Sequence, residues 1–476
     1  MLSNKSIILF TLLIVASALS AWSISDTYFG NRFGTLDARM SAMGGAGTYN
    51  DSRAFGIADN PANLTLMRKN LGLSVNTYMT RNEDNRSFPL YNSFDNYVDD
   101  SVYSSNINFY SNLAAAAYYS SRMDMLGVGL GAFYKPMLSF DGDYTEEIRN
   151  NRNTDNDLYP EKIAQNMIEG RGTLNQTGLA FSTSFDTGEV FSANLGFSLA
   201  MLSGDITREK TIRWSDYAQT TVGTTYHLPE LTEKEDYELS GNQVKLGAAV
   251  RVNTRFGLAA TFTPKTILDK EGSYYYKRDA YRNTAMDSIN VAVTEDYILP
   301  SELRVGFSYF PRNVMRTVFN MDLEYVMHSD IDKRYDDVVN FYAGVEHHVS
   351  NRIPFRLGFQ AVNNYFFTTE AGLDDADNPI TLYHVSKILS PMITAGSSIE
   401  IMKGLTADLG FGYTWREYEA TDLFGDAYYN DKIYTGSSSY VLWPNSHINL
   451  QDRGWENPDK IRENNITLNA GLNFVW

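Results

Sequence analysis

No cysteine occurs in the 476 residues, which excludes a disulfide framework, a thiol nucleophile and thiolate metal sites. Histidine is scarce. The six residues His227, His328, His347, His348, His384 and His447 stand in no motif that pairs a base with a nucleophile, so nothing in the chain reads as an enzyme. Basic residues are outnumbered, 40 Lys and Arg against 57 Asp and Glu, and a net charge of −17 leaves no field to neutralise phosphates, which excludes nucleic acid as a partner. A long apolar run is also missing. The one candidate, Ile7 to Ala18, is broken only by Thr11 and Ser17. It is too short for a helical span, which needs about 20 apolar residues. The mean hydropathy of −0.32 argues against a helical bundle in lipid.

What the chain does have begins at its ends. Lys5, the apolar run, and then the small residues Ser20, Ala21 and Ser23 make the parts of a secretory signal, so residues 1–23 are expected to be removed on export. At the other end Ile466, Leu468, Ala470, Leu472, Phe474 and Trp476 alternate with Thr467, Asn469, Gly471 and Asn473. A strand sends successive side chains to opposite faces, so one face here is apolar to its last residue and the other polar and small. Lipid outside and a polar lumen inside is the pattern of an outer-membrane barrel.

The same alternation recurs in 244–251, 303–309, 319–325 and 355–361, where apolar residues such as Leu246, Val305, Leu323 and Leu357 face one way. Lys245, Arg304, Asp322 and Arg356 face the other. Charges of both signs on the lumen side are placed to pair. Breaks between strand-like segments alternate short and long. Six short ones fall at Ser121–Asp124, Asp186–Gly188, Asn253–Arg255, Pro311–Asn313, Val349–Asn351 and Lys403–Gly404. Seven long ones fall roughly at 81–105, 142–172, 207–236, 270–290, 328–335, 365–380 and 417–464. That count predicts an all-β fold, a transmembrane antiparallel β-barrel of about 14 strands over 71–476 with its long loops on the outer side. The 32 tyrosines suit the aromatic girdles of such a wall.

Residues 24–70 break the pattern. Ala38-Arg39-Met40-Ser41-Ala42-Met43-Gly44-Gly45-Ala46 and Asp59-Asn60-Pro61-Ala62-Asn63-Leu64 are small, glycine-containing and interrupted by proline, which suits a compact plug inside the barrel. Ala-Arg-x-x-x-Met-Gly-Gly-Ala followed by Asn-Pro-Ala-x-Leu resembles the N-terminal hatch of the FadL family of outer-membrane transporters for hydrophobic compounds. PorV-type proteins of type IX secretion share this opening. The resemblance is specific over about 30 residues. It implies a fourteen-stranded barrel in the bacterial outer membrane, a hatch with Gly44, Gly45, Asn60, Pro61 and Ala62 as gating residues, and a side opening at a kink in the third strand. It also implies recognition of the C-terminal Trp476 by the barrel assembly machinery.

In this chain the third strand is expected from Leu126 to Phe140, and Pro136 marks either the kink or the strand's exit into a loop. The expected function is outer-membrane transport of hydrophobic, fatty-acid-like small molecules with lateral exit into outer-membrane lipid, without cofactor or metal. A PorV-like component of a secretion system and a purely structural barrel are the alternatives. The long loops depart from the family in being polar and acidic, as in Asp374-Asp375-Ala376-Asp377, a solvated loop without metal-loop spacing. Only the last loop carries an apolar set, Leu423, Phe424, Tyr428, Tyr429, Ile433 and Tyr434.

Overall fold

The computed structural model describes residues 30–67, 69–91, 94, 96–149, 162–187, 191–216, 219–220, 231–278, 287–312, 316–349, 353–373, 379–420, 423 and 459–476. The expected export segment 1–23, the acidic cluster Asp374–Asp377 and the last-loop residues 424–434 lie outside the described residues.

Nineteen strands form among them: β1 (Asn31–Arg32), β2 (Leu71–Tyr91), β3 (Tyr97–Met123), β4 (Leu126–Ser139), β5 (Gly142–Arg149), β6 (Lys162–Arg171), β7 (Thr173–Asp186), β8 (Phe191–Trp214), β9 (Leu231–Val252), β10 (Phe256–Thr263), β11 (Thr266–Arg278), β12 (Asp287–Leu299), β13 (Ser301–Tyr309), β14 (Val318–Met327), β15 (Val338–His348), β16 (Pro354–Leu373), β17 (Pro379–Met402), β18 (Leu405–Ala420) and β19 (Asp459–Val475). β1 stands apart from the wall. The pairs β4/β5, β6/β7, β10/β11 and β12/β13 are each one wall strand broken in its middle, so the wall is a closed antiparallel barrel of 14 strands. Pro264 and Pro300 sit at two of the breaks, where a residue without an N–H does least harm to the ladder.

The barrel closes between its ends. β19 pairs with β2 from Lys460↔Ser87 to Val475↔Gly72, and the last residue continues the seam, the Trp476 N–H donating to the Leu71 carbonyl at 3.0 Å. Closure pairs the first and last wall strands, so neither is left as a free edge in lipid. Two of the short turns carry left-handed residues, Asp124 (φ 52°) and Asn253 (φ 54°), residue types that tolerate this conformation.

The outer face follows the alternation expected from the sequence. On β8 Leu195, Phe197, Leu199 and Met201 are exposed while Asn194 and Ser198 are buried; on β14 Phe319, Met321, Leu323 and Tyr325 are exposed while Asn320, Asp322 and Glu324 are buried. An exposed apolar belt of this extent is what lipid, not water, covers. The long connections differ from expectation. Much of 81–105, 142–172, 207–236 and 270–290 is strand, and β3 runs for 27 residues and β8 for 24, where a membrane strand needs about 9–11. Above the belt apolar and polar residues mix on one face, as Ile212 and Trp214 do with Arg208 on β8, so no regular hydrophobic period marks these strands. Cross-strand pairs such as Lys234–Glu209 (3.1 Å) and Arg208–Glu235 (3.0 Å) support them instead.

Candidate functional site

Residues 30–67 pack against the polar inner face of the wall. Asp37 caps the short helix α1 (Ala38–Ser41), accepting from the Arg39 and Met40 N–H groups. Gly44 and Gly45 follow at φ +66° and +78°, values that L side chains rarely adopt. A second short helix, α2 (Gly56–Asp59), leads to Asn60, whose carboxamide accepts from the Ala62 N–H at 3.0 Å and caps the 3-10 helix Pro61–Thr65. Pro61 stands at its first position, where its missing N–H costs nothing.

The motif residues are explained by what they touch. Inward-facing glycines around the wall leave room for main chain to lie on main chain. A Cβ at Gly358 would lie 2.0 Å from the Gly44 nitrogen, one at Gly344 2.2 Å from the Met43 oxygen, and one at Gly410 2.9 Å from the Ala38 oxygen. On the opposite wall a Cβ at Gly196 would meet the Ala62 nitrogen at 2.6 Å, and one at Gly247 the Asn60 Oδ1 at 2.1 Å. Gly44 and Gly45 therefore sit against β15 and β16, while Asn60, Pro61 and Ala62 sit against β8 and β9. Asn60 also donates to the Thr48 carbonyl at 2.9 Å. The two motifs thus press on different parts of the wall, with Asn60 held at Gly247.

Buried ion pairs fasten the same segment. Arg39 forks onto Glu346 (2.8 and 2.9 Å), and Glu346 also accepts from Arg356 at 2.6 Å. Arg356 reaches Asp408 at 3.1 Å, and Asp408 accepts two bonds from Arg53 (2.8 and 3.0 Å). Asp322 receives the Gly47 N–H, the Thr48 N–H and Arg304. Bidentate guanidinium–carboxylate geometry is the strong form of such pairs, and each charge here has several partners, which offsets its desolvation. Sequence alternation placed Arg304, Asp322 and Arg356 in the lumen; it did not assign Glu346 or Asp408, and their partners Arg39 and Arg53 carried no such signal.

The third wall strand behaves differently above this level. β3 and β4 are paired from Met123↔Leu126 to Ala115↔Tyr134, and there the ladder ends. β4 keeps its ladder with β7 as far as Ser139↔Thr173, with a register shift between Pro136 and Leu138. Up to Tyr134 the even-numbered residues face outward: Leu126, Val128, Leu130 and Tyr134 are exposed. Beyond it Pro136, Leu138 and Phe140, next in that series, are buried. β4 thus runs on through Pro136 to Ser139, with its inward-facing residues changed at the register shift. On the side that β3 has left, β1 pairs with it as Arg32↔Leu138 and Asn31↔Ser139.

The bend lines an internal cavity of about 800 Å³. Phe33, Pro136, Met137, Leu138, Tyr297 and Leu299 form an apolar end, continuous with a buried cluster of Phe140, Leu174, Ile206 and Leu239. Arg304, Glu324 and Tyr342 form a polar end, and Lys135 and Lys245 lie between. Lys135 is 3.7 Å from Asp59, and Lys245 donates to the Ala58 carbonyl at 3.4 Å. Among the described residues no cluster of His, Asp and Glu is arranged to hold a metal ion.

No protein-family model matches the chain. No curated protein sequence matches it either. Solved structures do. A Pseudomonas aeruginosa FadL homologue superimposes with a TM-score of 0.56 at 12% identity, covering 94% of this chain and 99% of that one. The toluene transporter TodX of P. putida gives 0.56 at 12% identity over 92% and 97%. The toluene transporter TbuX of Ralstonia pickettii gives 0.51 at 14% identity over 94% and 100%. The chain has the fold of FadL-like transporters across nearly its whole length.

Proposed function

We propose that the chain is a bacterial outer-membrane channel for hydrophobic small molecules, with residues 30–67 as a hatch that closes the lumen and with lateral release through the wall at Pro136. The inward bend carries this reading. It turns three residues of the lipid-facing series into the interior, joins them to an apolar cavity end, and parts β3 from the third wall strand at the same height. Backbone at membrane depth is left without a ladder partner only where protein or a water-lined cavity satisfies it, and β1 fills that role for β4 at Leu138 and Ser139. A ligand entering the cavity then meets lipid without crossing the charged hatch. The toluene-transporter names of structural neighbours support a hydrophobic cargo. Fatty-acid-like compounds fit as well, since Lys135 and Lys245 stand beside the apolar end to receive a carboxylate.

Uptake of a hydrophobic tracer by cells carrying the protein in their outer membrane tests this. Pro136→Val, which favours a continuous strand, is expected to slow uptake without lowering the amount of folded protein. An unchanged rate for a tracer that the parent admits removes the lateral route.

One observation favours the second reading, a receiver of secreted proteins. Phe94, Tyr97, Val98 and Val102 are exposed together at the β2–β3 tip, an apolar surface of the kind that contacts protein. Binding of a secreted cargo protein that is lost in Tyr97→Ser/Val98→Ser, with tracer uptake absent in the parent, would favour it.

A further inference from the structure

Above the gap, the two wall strands are joined again, but not by main chain. No ladder links β3 to β5 among the described residues. Three side chains at alternate positions of β3 take its place. The Asn106 carboxamide accepts from the Thr145 N–H at 2.9 Å and from its hydroxyl at 3.1 Å, and donates to the Thr145 carbonyl at 3.1 Å. Ser104 donates to the same carbonyl at 2.9 Å, and Asn108 donates to the Asp143 carbonyl at 2.6 Å. One side-chain amide thus stands in for a strand residue, with both its donor and its acceptor turned to main chain. The two backbones are held apart by the length of that side chain.

From this we infer that Ser104, Asn106 and Asn108 form a side-chain seam that is the upper jamb of the lateral gap and sets the largest ligand that leaves through it. The inference rests on the lateral route proposed above. The lower jamb is fixed, because Ala115↔Tyr134 is the last rung of a regular ladder nine residues long on β3. The upper jamb is not. A ladder breaks only as neighbouring rungs break with it, whereas side-chain bonds release one at a time. From Asn108 to Ala115 the β3 edge spans roughly 23 Å at about 3.3 Å per residue, and opening the seam past Ser104 lengthens it by about 13 Å. On the outer side Ile107, Phe109 and Leu113 keep this edge apolar and exposed, so a widened gap still opens onto lipid.

The residues are suited to the task for a simple reason. Asparagine satisfies a strand's donor and acceptor together, so a seam of this kind seals unpaired backbone at rest. Replacing it by an aliphatic residue removes the bonds without adding charge.

The test compares two tracers of different bulk, toluene and N-phenylnaphthylamine, in cells whose outer membrane carries the full chain. Asn106→Ala is expected to raise the rate for the bulky tracer severalfold and leave toluene near the parent rate. Asn106→Cys/Thr145→Cys, closed by a short thiol cross-linker, is expected to bring the bulky tracer to or below the parent rate and to recover on reduction; with no native cysteine, only the introduced pair reacts. Ser104→Ala serves as the milder variant where Asn106→Ala lowers the amount of folded protein, and carries the same expectation in smaller degree. Parent uptake with a bulky-to-small ratio that is the same in all variants overturns the seam and leaves the channel standing. Absence of uptake in the parent overturns the channel and the seam together.

Discussion

Two levels of one wall are built on opposite rules. At the hatch level, inward glycines let backbone touch backbone on several sides, and a chain of charges from Arg39 through Glu346, Arg356 and Asp408 to Arg53 ties the inner segment to strands far apart in sequence. At the level of Pro136 the wall loses a ladder, three residues turn inward, and a cavity is left. Close packing gives a single arrangement and resists change. An interrupted ladder held by side chains gives a place where change is cheap. On the function proposed above, the first level seals and the second passes the ligand.

The comparison breaks most readily at its charged end. Asp408 is buried, and it neutralises both Arg53 and Arg356. Asp408→Asn leaves the buried Arg356 and the half-buried Arg53 guanidinium short of charge, and one-sided removal of a buried pair costs about 3–5 kcal/mol. We expect a loss of that order in the urea midpoint of the folded barrel, read by its heat-modifiable mobility. A midpoint within experimental error of the parent would show that the hatch is not fastened there.

Steric closure comes next. Gly358→Ala puts a Cβ 2.0 Å from the Gly44 nitrogen and 2.3 Å from the Met43 carbonyl carbon, so main chain must move. Overpacking of this kind costs about 1–3 kcal/mol. The barrel is expected to persist with a displaced hatch, seen as entry of a large polar antibiotic that the parent excludes. Unaltered exclusion together with an unaltered urea midpoint would refute the seating of Gly44 on this strand.

How much of this was legible in the chain follows from period. The strand number, the apolar belt and the lumen position of Arg304, Asp322 and Arg356 rest on a period of two, which the wall obeys for as long as one face meets lipid. Above the belt that contrast disappears, which is why the strand extensions at 207–214 and 231–236 read as loop. Gly44, Gly45 and Asn60 were visible as a motif, but their wall partners Gly358, Gly344 and Gly247 were not, since a glycine opposite a distant segment leaves no local mark. Pro136 was visible as a break, while the seam at Asn106 reads as an ordinary polar alternate.

The upper level can also be loosened by acid. His328 follows β14 in the loop over the cavity, its ring 4.7 Å from that of Tyr365. Burial, with a smaller contribution from Arg32, pulls its pKa down from 6.5 to about 4, against the opposing pull of Asp337 and Glu324. The folded loop therefore keeps the ring neutral while the opened loop protonates it near 6.5. Loop stability is fully present above that value and falls as pH drops toward 4, by at most about 3 kcal/mol. Hydrogen exchange of residues 328–337 is expected to quicken across that window while the hatch amides stay protected. His328→Gln, which does not titrate there, should flatten the response, and a pH response that persists in this variant assigns the effect to another group.

The smallest effect concerns the wall above the belt, where neither rule applies. On its outer face Asp205 stands directly opposite Glu238, and Glu238 directly opposite Glu271, across β8, β9 and β11. All three are exposed. Like charges directly opposite on a sheet are unfavourable by about 0.2–1 kcal/mol per pair. Glu238 takes part in both contacts, so Glu238→Gln relieves them together and should raise the urea midpoint slightly at low salt. Since these carboxylates face solvent, the gain should shrink as ionic strength rises and the Debye length falls to about 8 Å at 0.15 M. The same substitution should leave tracer uptake and hatch protection untouched, because Glu238 is exposed and is not among the cavity-lining residues. A midpoint lowered at low salt would mean instead that a cation from the surroundings binds across the three strands and is lost with the charge.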